Sequence, residues 1–257
     1  MKILLSNDDG VYAPGIRVLA EVLAEISEIT VVAPDRDRSA ASKSLTLYKP
    51  IRPRVLDNGF VSIDGTPADC VHYALTVHMS EQPDMVVAGI NAGANLGDDV
   101  MYSGTVAAAT EGRFLGLPSM ATSLVGSHGG GVPEDNYQAA GKVVKQIIKH
   151  LLLNPLPADT ILNINIPDLP YEKITGFEIT RLGQRHRSEP MIKDTDPRGH
   201  TVYWIGASGA EQDAGPGTDF YAISQGRVSI TPLEIDLTKY QSIDRLKQWA
   251  GNLRLEN

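Results

Sequence analysis

Two adjacent carboxylates, Asp8 and Asp9, follow the apolar run Ile3-Leu4-Leu5 almost directly and precede Gly10. At the end of a buried strand such a pair repels itself and is costly to desolvate unless a cation lies between its members. Gly10 allows a tight turn or close approach to a ligand. Asp-Asp-Gly is also the composition of an ordinary turn with a helix cap. Residues 33–42, Ala-Pro-Asp-Arg-Asp-Arg-Ser-Ala-Ala-Ser, have the charges of a solvated loop. Within them Ser39 offers a neutral hydroxyl oxygen that could complete a metal shell without adding charge. Residues 89–97 hold three glycines and two asparagines. Asn91 can lend its side-chain carbonyl to the same metal, the competing reading being a structural Gly/Asn turn. Ser103-Gly104-Thr105 then opens the small-residue run 106–109. Hydroxyls, free backbone N–H groups and the positive end of a helix dipole make that a phosphate seat, or an ordinary N-cap.

Joint occurrence separates these readings. Acidic, hydroxyl and amide oxygens at three successive strand ends, followed by a phosphate-ready helix start, select a hard cation such as Mg2+, Mn2+ or Ca2+ over Zn2+. The fingerprints Gly-x-Gly-x-x-Gly after the first strand and Gly-x-x-x-x-Gly-Lys-Ser/Thr are absent, which argues against dinucleotide binding and P-loop hydrolysis. A net charge of −8 argues against nucleic-acid and membrane-surface partners. A single cysteine, Cys70, permits no internal disulfide and suits a cytoplasmic setting; it reads as a small core residue. Met1-Lys2 runs into a strand-like segment rather than a signal peptide, and no apolar run approaches bilayer length. His72 and His78 fall on one helical pattern and His150 near the end of another. His128 lies in a glycine-rich stretch, and His186 and His200 in a polar one. None has metal-site spacing with another.

The elements that must position these residues alternate. Strands are expected at 2–6, 29–33, 85–88, 118–123 and 161–166. Helices are expected from Pro14, from Thr66-Pro67 to about 77, at 105–115 and at 136–153. A hairpin is expected around Asp57-Asn58-Gly59. This βαβ rhythm implies an α/β fold: a Rossmann-like, doubly wound, mainly parallel sheet with helices on both faces. The expected core spans 1–167. The remainder, 168–257, reads as a smaller β-rich extension with strand candidates at 203–205 and 228–230. It carries an exposed polar excursion at 184–199 and a final amphipathic helix at 242–250, which the core could recruit.

The ordered motifs Ser6-Asn7-Asp8-Asp9-Gly10, Ala33-Pro34-Asp35-Arg36 with Ser39, Gly65-Thr66-Pro67-Ala68-Asp69-Cys70, Gly89-Ile90-Asn91-Ala92-Gly93 and Tyr102-Ser103-Gly104-Thr105-Val106 resemble the SurE family of stationary-phase survival proteins. The resemblance continues through Asn163-Ile164-Asn165-Ile166-Pro167, Thr218-Asp219 and Val228-Ser229-Ile230-Thr231-Pro232-Leu233. It implies a divalent-metal phosphatase of nucleoside 5′- and 3′-monophosphates with side activity on short polyphosphate. One cation per subunit, Mg2+, Mn2+ or similar, would be held by Asp8, Asp9, Ser39 and Asn91. The resemblance also implies a protruding hairpin and C-terminal segments exchanged between subunits, hence a homodimer or homotetramer, with the hairpin expected at 184–199. The expected chemistry is attack by a metal-activated water, with Asp8, Asp9 and Asn91 as the catalytic set. The phosphate would be held by Gly10, Asn95, Ser103, Gly104 and Thr105. The competing function is a non-catalytic nucleotide-sensing module on the same loops.

Overall fold

The computed structural model describes residues 1–126, 133–157, 160–185, 189–206, 208–251 and 253–254. His128, His186 and the glycine-rich stretch beyond Gly126 lie outside them. The first half follows the expected alternation: β1 (Lys2–Ser6), α1 (Pro14–Leu23), β2 (Glu28–Pro34), the hairpin β3 (Pro53–Val55) and β4 (Val61–Ile63), α2 (Pro67–Tyr73), β5 (Met85–Ala92), α3 (Gly104–Phe114), β6 (Ser119–Val125), α4 (Glu134–Leu153) and β7 (Ile161–Pro167). Each start has a local cause. Pro14 supplies a preset φ in the first turn of α1. Thr66 and Asp69 form a reciprocal capping box on α2, and the helical path then continues as a π-turn at Ala74–His78.

The third third adds β8 (Phe177–Ile179), β9 (Gln184–Arg185), β10 (Ile192–Thr195), β11 (Thr201–Trp204), β12 (Glu211–Asp213), α5 (Asp219–Ser224), β13 (Val228–Leu233) and α6 (Ile243–Ala250). Nine strands form one sheet in the order β3-β4-β2-β1-β5-β6-β7-β13-β8. All neighbours are parallel except β3 with β4 and β13 with β7. The boundary expected at residue 167 therefore falls inside the sheet, because β13 returns to pair with β7 and carries β8 at its edge. The antiparallel pairs β10–β11 and β9–β12 stand apart from it. The final helix forms as expected but buries none of its residues, so the core of this chain does not recruit it.

Alternation within each strand splits the apolar residues between two faces. Ile3, Leu5, Val87 and Leu124 pack with Ile16 and Leu19 of α1 and Val144 of α4. Leu4, Val86 and Ala121 pack with Cys70 and Val71 of α2 and Ala108 of α3. Fully burying a large aliphatic side chain contributes about 1.5–3 kcal/mol, so this two-sided core fixes the sheet as a rigid floor. One expected boundary moves. β5 runs to Ala92 rather than ending at residue 88, because after an irregularity between Ala88 and Asn91 the strand resumes pairing with Ser123 and Leu124. Asn91 thus stands on a strand end and not in a free loop.

The winding direction reverses around β1, which has β2 on one side and β5 on the other. In open α/β sheets the crevice at the carboxyl ends of such strands is the ligand site.

Candidate active site

The loops after β1, β2 and β5 and the start of α3 meet above that reversal. Asn7 is fully buried and shapes the first loop, its amide donating to Gly10 O (2.9 Å) and its Oδ1 accepting from Gly10 N–H (3.2 Å). Gly10 adopts φ +101°, and a Cβ there would lie 2.9 Å from the Arg36 carbonyl carbon. Its role is to let the first two loops touch, and its N–H is spent on Asn7. The Arg38 N–H donates to Asp8 O (2.7 Å), locking the two loops together.

Asp8 is only 4% exposed, and its Oδ1 accepts the Thr105 hydroxyl proton across 97 residues of sequence. Burial pushes its carboxyl above the usual range, opposed by the Thr105 hydroxyl and helped by the nearby charge of Asp37. Asp9 Oδ2 accepts from Ala92 N–H (2.9 Å). Burial and the charge of Asp8 push Asp9 up to about 7. No positive group is among the principal influences on either carboxylate. Tyr137 of α4 is buried near Asp9, and burial together with that carboxylate raises its phenol to about 12.

Asn91 donates its amide to Gly93 O (3.0 Å), which leaves its Oδ1 unengaged among the described residues. Ser39 follows Arg38 directly, and its N–H and hydroxyl both donate to Asp37 Oδ1 at 2.7 Å. Among the described residues no group of three or more His, Cys, Asp or Glu is placed to hold a metal ion by itself. A cation here would have two carboxylates and neutral oxygens as partners, a donor set suited to Mg2+ or Mn2+. Two desolvated like charges with no positive partner among the described residues fit such an ion.

The phosphate set divides. Ser103 caps α3 by accepting from Val106 N–H (3.1 Å), and its own hydroxyl proton has no acceptor among the described residues. The Thr105 hydroxyl is committed to Asp8. Gly104 has its N–H unengaged among the described residues, and Asp8 requires it to be glycine: a Cβ would sit 2.6 Å from Asp8 Cβ and 2.7 Å from its Oδ2. Asn95 is buried in a network of its own. Its N–H donates to Asn165 Oδ1, its carbonyl accepts from both Asn163 and Asn165 at 2.9 Å, and its amide donates to Ser123 Oγ (2.8 Å). Asn95 therefore anchors the loop, and of the groups expected to meet a phosphate, the Ser103 hydroxyl proton and the Gly104 N–H are those left unengaged among the described residues.

Sequence reasoning missed Asn163 and Asn165 as loop anchors. The available signal was two asparagines at i and i+2 on a strand whose other face is Leu162, Ile164 and Ile166, since buried amides on one face must find partners. It also missed Asp219, fully buried, whose carboxylate accepts from Gly97, Gly183 and Phe220 N–H at 2.7, 2.8 and 2.9 Å. Asp219 ties the C-terminal segments to the loop after β5. Of the histidines, His72 meets Glu111 (2.7 Å) on the outside of α2 and α3, and His200 meets Asp196 on the hairpin.

A family model described as Survival protein SurE matches residues 3–189. A relative named 5'-nucleotidase SurE from Coxiella burnetii (strain RSA 331 / Henzerling II) is 60% identical over 255 residues, covering 99% of this chain and 97% of the relative. The protein of the same name from Legionella pneumophila (strain Lens) is 56% identical over the full length of both chains. The crystal structure of the SurE protein from Aquifex aeolicus superposes with a TM-score of 0.84 at 44% identity, covering 97% of this chain and 99% of that one.

Proposed function

The chain belongs to the SurE family, and from that we propose that it is a 5′-nucleotidase acting on nucleoside monophosphates with one divalent cation at Asp8 and Asp9. The relatives' name carries the nucleotidase part. The observation that supports the metal part is the carboxylate pair itself: adjacent, desolvated, without a positive partner among the described residues and set against the start of α3. When bound, a cation of the Mg2+ or Mn2+ class supplies a Lewis acid for the phosphoryl oxygens and lowers the pKa of water.

The chain's own residues do the positioning. Thr105 fixes Asp8, Ala92 N–H fixes Asp9, and the Gly93 carbonyl turns the Asn91 amide so that its oxygen is the free end. Ser39 supplies the fourth oxygen of the reading. The Ser103 hydroxyl and Gly104 N–H hold the phosphate, where the helix dipole favours negative charge. Neutralisation and positioning supply most of the rate in phosphoryl transfer, and these parts do both.

The same reading takes 3′-monophosphates and short polyphosphate as lesser substrates and places the protein in the cytoplasm. No helix of the described residues is long and apolar enough to cross a membrane. It assigns the chemistry to residues 1–167 and assembly as a homodimer or homotetramer to 168–257, where Tyr203, Trp204, Leu246 and Trp249 stand exposed. The test is phosphate release from a panel of nucleoside monophosphates after chelation and after adding back Mn2+ or Mg2+. The reading expects loss and recovery; full turnover in chelator, or no release from any monophosphate, overturns it.

A further inference from the structure

Ser39 is the weakest member of the proposed shell, being a neutral hydroxyl on an exposed loop. A serine hydroxyl has one proton and two lone pairs, and only the lone pairs can face a cation. In water the proton samples many directions. Among the described residues it has one acceptor: Oγ donates to Asp37 Oδ1 at 2.7 Å, and the same oxygen takes the Ser39 N–H at 2.7 Å.

The loop around it is held at both ends. Arg38 N–H is bonded to Asp8 O (2.7 Å). Ser42 donates its N–H to Tyr102 O (3.2 Å) and its Oγ to Met101 O (2.9 Å), just ahead of Ser103. Ala40 and Ser42 both adopt positive φ, +59° and +52°, which non-glycine residues do only where their surroundings over-determine the backbone. The segment is thus clamped on either side of Ser39, next to the carboxylate pair.

We propose that Asp37 is a positioning residue for the cation site, taking the Ser39 proton so that only lone pairs of Ser39 Oγ remain to meet the ion. The inference rests on the metal reading above. It assigns Asp37 a role through Ser39 and not as a ligand or a bare attracting charge. Partners that orient a ligand in this way change metal affinity by about 10–100-fold when removed.

The experiment is calorimetric titration of Mn2+ into the full-length protein and into Asp37→Ala, Asp37→Asn, Ser39→Ala and the Asp37→Ala/Ser39→Ala double variant, with melting temperature as a check on folding. Asp37→Ala should weaken Mn2+ by roughly tenfold or more. Asp37→Asn keeps an acceptor oxygen without the charge, so it should recover most of that loss. In the Ser39→Ala background the further loss from Asp37→Ala should fall to about twofold or less, because the residue it acts through is gone. An equal loss in both backgrounds, Asp37→Asn as damaging as Asp37→Ala, or no change from Asp37→Ala would each overturn the proposal. Failure of the metal reading looks different: the unmodified protein would then bind no Mn2+ at this site at all.

Discussion

Replacing Asp9 with Asn removes one of two like charges from a desolvated site, and in the metal-free protein it should raise stability while abolishing turnover. Burial and Asp8 hold Asp9 at about 7 against an ordinary 3.8. That is about three units, and at 1.36 kcal/mol each it is an upper bound of ~4 kcal/mol. Asp9 retains some exposure, and the asparagine amide must also be accommodated, so about 2–4 kcal/mol is the working figure. Because the folded pKa lies above the unfolded one, the native state binds the extra proton between about pH 4 and pH 7. Stability of the unmodified protein therefore falls as pH rises through that window and levels off above it. Thermal melts in chelator at about pH 4.5 and 7.5 read this directly. At low pH the two proteins should melt together; at neutral pH Asp9→Asn should melt about 5–10 °C higher for a chain of this size. Added Mn2+ should close the gap by raising the unmodified protein alone. Coincident melts at both pH values, or a lower melt for Asp9→Asn at neutral pH, would refute the argument that the pair is strained for want of a cation.

Thr105→Val keeps shape but strips the donor to Asp8, costing about 1–3 kcal/mol and roughly tenfold in Mn2+ affinity; a melt and a titration in parallel check both. Gly104→Ala places a Cβ 2.6 Å from Asp8 Cβ, so it should cost about 1–3 kcal/mol by overpacking and on the order of 100-fold in turnover by displacement. Normal kcat for this variant would show that Asp8 does not need its present position. Asn165→Ala leaves the Asn95 N–H without its partner and its carbonyl with one donor fewer, for about 1–3 kcal/mol, and should raise KM by loosening the loop after β5. An unchanged melting temperature would count against the amide network.

How much of this was legible depended on whether the cause was local. Strands β1, β2 and β7 announce themselves as short β-rich runs, and α1 and α2 as helices opened by Pro14 and by Thr66-Pro67, because those signals are contained in a few neighbouring residues. The place of β13 beside β7 was not legible, although residues 228–230 read as a strand. Which strand it pairs with is settled by contacts more than 60 residues away, and pairing leaves no local mark on the chain. Glycines 89, 93 and 97 suggested a loop and concealed a strand that resumes after an irregularity, since glycine marks both. At the site, Asp8, Asp9 and Asn91 stood out because carboxylates and amides at strand ends are conspicuous. The hydroxyls were ambiguous. Ser103 and Thr105 look alike in sequence, yet one caps α3 and the other bonds a carboxylate brought to it only by the completed sheet.

That last contact has a consequence for how ligands bind. The start of α3 favours negative charge, and Asp8 already occupies part of that favourable field through Thr105 and its close approach to Gly104. A phosphate arriving at Ser103 and Gly104 would then meet a second anion within the same helix turn. With Asp8 and Asp9 both ionised and no cation present, repulsion offsets what the helix terminus offers. Cation and phosphate must therefore bind with positive coupling, and such coupling is reciprocal. Inorganic phosphate titrated calorimetrically at neutral pH should bind at least tenfold more tightly with saturating Mn2+ than in chelator. Mn2+ should gain the same factor from saturating phosphate. In Asp8→Asn the coupling should shrink, since one of the two repelling charges is gone. Equal phosphate affinity with and without the cation would mean that the two seats are independent, and that the contact between Thr105 and Asp8 joins them in space alone.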